Sequence, residues 1–160
     1  MTFDDFALAR VLHVASIVGW IGGVWFVTFV VMPAINRNEQ PSARLGAFHR
    51  IEQGFAPQAR LWVLLAGVSG FWMTWRADLW ARFAEPGFWW MHAMVCLWLL
   101  FVFILFVAGP FILHRRFHRW ATTAPDVAFA WLHRVHWVLL VLALITVFGA
   151  AAGSHGWLLF

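Results

Sequence analysis

The sequence predicts an all-α integral membrane protein, a four-helix up-down bundle in which residues 1–160 form a single domain. The first indication is composition: 63% of the 160 residues are hydrophobic and only 11% are charged, whereas soluble domains carry about 25% charged residues to face water. The second is four apolar stretches, each close to the ~20 residues that cross a bilayer. No repeat or long linker divides the chain. We therefore expect the outer surface to face lipid.

Prolines lie at the borders of these four stretches. The predicted spans cover about residues 6–32, 55–75, 88–113 and 127–152. We expect the first span to end at Pro33. The second has Pro57 in its first turn, where a missing N–H does no harm. The third follows Pro86, and the fourth follows Pro125, with Asp126 as its N-cap.

The stretch from Pro41 to Gln53 is an amphipathic lead-in to the second span. Ser42 is suited to cap it, and apolar side chains recur at helical spacing at Leu45, Phe48, Ile51 and Phe55. Two alternatives are open: the lead-in lies in the membrane interface, or it extends the second helix.

Several function classes are excluded by charge and cysteine content. All eleven basic residues are Arg, and no basic face is long enough to follow a phosphate backbone, so we expect no nucleic-acid partner. The single Cys96 lies in an apolar run, which excludes a disulfide framework and a thiolate metal cluster within one chain. The acidic start of the chain differs from a signal peptide, so we expect the first helix to be retained.

The orientation follows from the arginines, because short cytoplasmic loops carry an excess of Lys and Arg. The first and third connections hold Arg37, Arg44, Arg50, Arg115, Arg116 and Arg119, against Arg10, Arg76 and Arg82 on the opposite side. This favours a multi-pass protein of the bacterial inner membrane with both termini in the periplasm.

Eight histidines in so apolar a chain need an explanation, because polar groups within a bilayer are costly and usually functional. In an up-down bundle, helices one and three face each other diagonally, and so do helices two and four. His13 and His92 lie at similar depth in the outer half. His49 and His136 lie in the inner half, with His133 as an alternative to His136. Paired imidazoles on facing helices are the usual axial ligands of haem b, so we predict one or two haems.

Structural roles are the alternative for these histidines. An intramembrane His can simply hydrogen-bond to a neighbouring helix, which would suit His133, and His49 lies close to the interface. His114, His118 and His155 are expected to be ordinary loop residues.

Other polar and small residues near the histidines are candidate cofactor contacts. His13, Ser16, Trp20 and Gly23 share one helix face, and the glycines there either admit a macrocycle or let helices pack closely. Arg10, Arg50 and Arg134 could each pair with a haem propionate or snorkel to lipid headgroups. Glu52 is a candidate partner for Arg or His, or a proton carrier.

Two segments resemble known families. The segment from Leu12 to Gly23, with His13, Trp20 and Gly23 in the pattern His, six residues, Trp-x-x-Gly, resembles the first helix of the copper-resistance D (CopD) family and of the HemJ-type protoporphyrinogen oxidases. Trp90-Met91-His92-Ala93-Met94 resembles the start of a later helix in both. HemJ-type proteins have Lys where this chain has Met94, which brings it closer to the CopD-like pattern. The resemblance implies a four-helix bundle that binds haem b or handles copper, with His13 and His92 as the site.

The leading hypothesis is a haem-b membrane cytochrome that transfers electrons to quinone or to a redox partner protein, or oxidises a substrate at a haem edge. The main alternative is copper transport or resistance, with His13, His92, Met91 and Met94 as ligands. A third is a structural subunit of a larger complex. A homo-oligomer is compatible with each of the three hypotheses. The sequence has no motif of a soluble hydrolase or kinase.

Overall fold

The computed structural model describes residues 4–113 and 123–157, and every long element in this part is helical. The predicted all-α class is therefore confirmed for the described residues. Helix α1 covers Asp5–Asn38. Asp4 caps it by accepting a hydrogen bond from the backbone N–H of Ala7 at 3.0 Å, and Asp5 in the first turn complements the helix dipole.

Helix α1 does not end at Pro33, contrary to the sequence-based expectation. A π-helical turn covers Val27–Val31, and α-helix resumes over Met32–Asn38. The N–H of Met32 donates to the carbonyl of Val27, five residues back. This wider register takes up the missing N–H of Pro33 without breaking the helix.

Helix α2 covers Pro41–Arg76 as one continuous α-helix. Of the two alternatives for the lead-in, the structure selects extension of the second helix. Pro57 lies inside α2 and not in a first turn. Its missing N–H leaves the carbonyl of Gln53 without a helical donor, and both residues lie on the exposed side of the helix, where that loss costs least.

Two short 3₁₀ segments, Leu79–Ala84 and Pro86–Phe88, lead into the third helix. Helix α3 begins as α-helix over Trp89–Val102 and continues as π-helix over Phe103–Leu113. The predicted loop histidines His114 and His118, and Arg115, Arg116 and Arg119, lie outside the described residues.

Helix α4 covers Pro125–Ser154, and its N-cap is Ala124. The expectation that Asp126 caps this helix is wrong, because Pro125 occupies the first helical position and Asp126 follows within the first turn. The Asp126 carboxylate instead accepts from the Arg44 guanidinium at 2.6 Å. Arg44 also donates to the carbonyls of Asn36 and Glu39, so it joins the end of α1 and the starts of α2 and α4.

The buried side chains come from all four helices. A central cluster contains Trp20, Ile21, Val24, Val63, Ala66, Leu97, Phe101, Leu139, Leu140 and Ala143. A second cluster, near Arg44, contains Val27, Val31, Met32, Ile35, Ala47, Phe48, Phe129 and Leu132. Many large apolar side chains are exposed instead, such as Val18 and Phe148, which is the pattern of a surface in contact with lipid.

Three described helices are long and apolar enough to cross a membrane: Asp5–Asn38, Pro86–Gly109 and Pro125–Ser154. Helix α2 is long enough but less apolar, and it is not one of these three. Contacts show that α1 and α2 run antiparallel, since Asp5 pairs with Arg76 at one end and Met32 packs with Phe48 at the other.

Candidate intramembrane histidine sites

His13 on α1 is held by the backbone of α2. Its Nδ1 lies 2.9 Å from the carbonyl oxygen of Ala66 and 3.2 Å from Ser69 Oγ. A carbonyl oxygen only accepts, so Nδ1 carries a proton, and in the neutral ring Nε2 carries the lone pair. Gly70 makes room for the ring, because a Cβ there would lie 3.0 Å from His13 Cε1. This is the hydrogen bond that orients metal-ligating histidines in proteins.

The face of α1 that carries His13 packs directly on α2. Ser16 is fully buried and donates to the Leu12 carbonyl of its own helix at 2.6 Å. Trp20 is 3% exposed and packs edge-on against Phe101. At Gly23 an added Cβ would collide with the ring of Phe55.

Gly19 and Gly23 therefore make room for side chains of α2. A Cβ at Gly19 would lie 2.8 Å from the ring of Trp62, and Phe55 occupies the corresponding space at Gly23. Of the two explanations for these glycines, the described contacts correspond to close helix packing, because aromatic rings fill the clearance.

His92 lies on an exposed part of α3, and its ring packs edge-on against Phe83 with centroids 5.2 Å apart. Its neighbour Met91 is 5% exposed and points into the core, as expected for adjacent residues on a helix. Among the described residues no hydrogen bond or ring contact joins His13 to His92, so the predicted outer pair is not brought into contact.

The inner polar residues gather where α1, α2 and α4 meet. His136 donates through Nδ1 to the Leu132 carbonyl of its own helix at 2.9 Å and packs edge-on against Phe48. The Glu52 carboxylate is close enough to interact electrostatically with His136. Like His13, His136 thus has a protonated Nδ1 and an Nε2 lone pair.

His133 and His49 take different places in this inner group. The Nε2 of His133 donates to the carbonyl of Thr28 on α1 at 3.1 Å, so its lone pair is on Nδ1. His49 is about half exposed, with Nδ1 3.5 Å from Glu52 Oε2 and Nε2 2.9 Å from Gln53 Nε2.

Pro33 explains why the Thr28 carbonyl is free to accept from His133. In the π register the donor for a carbonyl is five residues ahead, and for Thr28 that residue is Pro33, which has no N–H. The N–H of Met32 is already used by Val27. A buried carbonyl without a donor is costly, and His133 supplies one from another helix.

The three arginines predicted to contact a cofactor are all exposed, and none has a hydrogen bond or ion pair in the described part of the chain: Arg10, Arg50 and Arg134. This arrangement leaves both predicted alternatives open, pairing with a propionate or snorkelling to lipid.

Sequence reasoning missed Arg60, in the middle of α2. Its Nε donates to the carbonyl of Leu105 on α3 at 3.2 Å, and its guanidinium lies 5.9 Å from the Phe106 ring centroid. The signal was available, because Arg60 is a charged residue inside a predicted span, and such residues default to a functional role.

No group of three His, Cys, Asp or Glu in the described residues could hold a metal ion. A haem iron takes at most two protein ligands, so this finding bears more on a copper site made of side chains than on haem. In comparisons with family models, curated proteins and solved structures, the chain has no significant match. The resemblance to CopD-like and HemJ-type proteins therefore stays a prediction from the residues quoted above.

Proposed function

We propose that this protein is a haem-b membrane cytochrome that transfers electrons within or across the bilayer. The observation that carries the proposal is shared by His13 and His136. Each lies in an apolar helix, and each donates its Nδ1 proton to a main-chain carbonyl, so Nε2 is free to bind iron. Such a hydrogen bond fixes the tautomer and raises the basicity of the ligand nitrogen.

The two imidazoles lie near opposite ends of α1, which favours two haems over one. His13 is two turns from the Asp5–Arg76 ion pair, whereas His136 is in the half of α4 that packs beside Met32 and Phe48. Candidate second ligands are His92 for the outer haem and His49 or His133 for the inner one. His133 is the weaker candidate, since its Nε2 is engaged by Thr28.

His13 is oriented as an iron ligand would be, but the space between α1 and α2 is too full for a haem. Trp62 and Phe55 occupy the space at Gly19 and Gly23, so the macrocycle would approach His13 from another side. Bound haem b would supply one-electron chemistry. The protein would supply the imidazole ligands and exposed arginines, Arg10 near His13 and Arg134 near His136, as partners for propionates.

The proposal includes a four-helix up-down arrangement in a bacterial inner membrane, with α2 as the fourth span and both termini in the periplasm. The antiparallel packing of α2 along α1 supports this arrangement, and so does the concentration of arginines at the α1–α2 turn. A membrane quinone or a redox partner protein would exchange electrons with the haem, and oxidation of a substrate at the haem edge is the enzymatic variant.

An absorption spectrum of the detergent-purified protein, before and after dithionite, tests the proposal. We expect a sharp reduced α-band and a shifted Soret band. A pyridine haemochrome assay should give one or two haems per chain. A colourless protein that binds copper stoichiometrically would instead establish the copper alternative.

His13→Ala and His136→Ala separate the two sites. Each should remove about half of the haem of a two-haem protein, because an axial ligand is lost. His155→Ala is the control, since His155 is exposed at the end of α4 and bonds to Ser154 and Ala151. Loss of all haem from His13→Ala and none from His136→Ala would reduce the number of sites to one.

A further inference from the structure

Arg60 lies midway between the two polar ends of α2. Sixteen residues separate it from Arg76, which pairs with Asp5, and sixteen separate it from Arg44, which pairs with Asp126. At 1.5 Å per residue each distance is about 24 Å. With α2 as a span, as proposed above, Arg60 lies in the apolar part of the bundle, between the two ion pairs.

The guanidinium of Arg60 forms one hydrogen bond among the described residues, and its other N–H groups form none. Its Nε–H is held by the carbonyl of Leu105. In the π register the donor for this carbonyl would be Pro110, which has no N–H, so Arg60 replaces a missing helical bond. The four N–H groups on the two terminal nitrogens have no acceptor among the described residues, and the side chain is partly exposed.

No acidic side chain compensates this charge in the described part of the chain. The acidic residues that form ion pairs among the described residues are Asp5, Glu52 and Asp126, and each pairs with a residue other than Arg60. An isolated charge in a low-dielectric interior is costly unless it is paired.

A buried donor without an acceptor occurs at the same level. Trp20 Nε1 is buried and has no hydrogen-bond partner in the part of the chain that the structure describes. The ring of Trp62, two residues after Arg60, packs at Gly19, next to Trp20. This level of the bundle therefore holds a positive charge and unused donors.

We propose that Arg60 binds a carboxylate within the membrane, through the fork of its two terminal nitrogens. A fixed guanidinium presents two parallel N–H donors to a carboxylate, which is its preferred bidentate partner. The carboxylate belongs either to a haem propionate or to a free amphiphile such as a fatty acid. The inference uses the proposed span α2 but needs no haem, so each source has its own test.

The haem arm compares reconstitution with haem b and with its dimethyl ester, in which the propionates are neutral. Wild-type protein should retain several-fold more haem b than ester. Arg60→Gln should reduce this preference to the part that Arg10 and Arg134 supply. Arg60→Lys keeps the charge and should retain part of the preference. Arg37→Gln, an exposed arginine at the end of α1, is the matched control and should behave as wild type.

The amphiphile arm measures the melting temperature of the detergent-solubilised protein with oleate and with the neutral oleyl alcohol. Oleate, and not the alcohol, should raise the melting temperature of wild type, Arg60→Lys and Arg37→Gln, but not of Arg60→Gln. A positive result in either arm supports the site and identifies the source of the carboxylate. Equal behaviour of wild type and Arg60→Gln in both arms overturns the inference. A wild type that binds no haem contradicts the cytochrome proposal alone, and the oleate arm then decides on Arg60.

Discussion

The tautomer and the position of the His13 ring are set by three residues of α2. The carbonyl of Ala66 accepts the Nδ1 proton, Ser69 Oγ lies beside it, and Gly70 leaves room for the ring. Because Ser69 also donates to its own helix, its position is fixed as well. Nε2, the proposed haem ligand, is thus held in a fixed position.

Gly70→Ala should disturb this support and lower the haem content several-fold. The added Cβ would lie 3.0 Å from His13 Cε1 and 3.4 Å from Nδ1, so the ring must shift by a few tenths of an ångström, which changes the direction in which Nε2 points. The ratio of haem to protein after purification measures the effect.

Gly54→Ala is the control in the same helix, because a Cβ there meets nothing within 4 Å. It should keep its haem and gain up to ~1 kcal/mol of stability from the better helix propensity of Ala. Equal haem in the two variants would show that the position of the His13 ring does not control binding.

At the scale of elements, prolines within the apolar helices create interhelical bonds. Pro33 follows the π-helical turn Val27–Val31, and Pro110 lies within the π-helix Phe103–Leu113. The carbonyl five residues before each proline accepts from a basic side chain of another helix. The acceptors are Thr28 for His133 and Leu105 for Arg60. Each proline thus leaves one backbone carbonyl without a helical donor, and the hydrogen bond to that carbonyl joins two helices.

Pro33→Ala should weaken the coupling of α1 to α4 through His133. The restored N–H can return the turn to α-helical register and reclaim the carbonyls, so His133 loses its acceptor. In a double-mutant cycle of Pro33→Ala and His133→Ala, unfolding in mixed micelles should give a coupling free energy of about 0.6 kcal/mol or more, the average of interhelical bonds in membranes. Additive effects would mean that Pro33 does not control this bond.

At the scale of the whole molecule, ion pairs lie at the two ends of α2 and apolar packing lies between them. Arg76 pairs with Asp5 at one end and Arg44 with Asp126 at the other. The central cluster joins all four helices between these pairs. This order of polar, apolar and polar layers is what a bilayer requires of a spanning bundle.

Cysteine accessibility tests whether α2 spans the membrane. In a Cys96→Ser background, we expect Ser42→Cys to react with a membrane-impermeant maleimide only from the cytoplasmic side. Ala77→Cys and the control Ser154→Cys should react only from the periplasmic side, because both lie at the opposite end of the bundle. Reaction of positions 42 and 77 from the same side would contradict a spanning α2.

The helical class and three apolar spans could be predicted from the sequence, because composition and segment length alone decide whether a helix can be stable in lipid. Candidate ligands could also be named, because a His within a predicted apolar span is easily recognised in the sequence. Arg60 was overlooked although the same rule applies to it, because the apolar residues around it dominate the pattern.

Helix rotation and backbone register were decided only by the tertiary structure. Which face of α3 His92 occupies, and whether Gly19 and Gly23 admit a cofactor or Trp62 and Phe55, depend on how side chains of different helices interlock. The π turn before Pro33 also depends on context, because His133 from α4 must supply the donor that makes the wider register acceptable. Apolar length along the chain is a local property, whereas these outcomes arise from contacts between residues far apart in sequence.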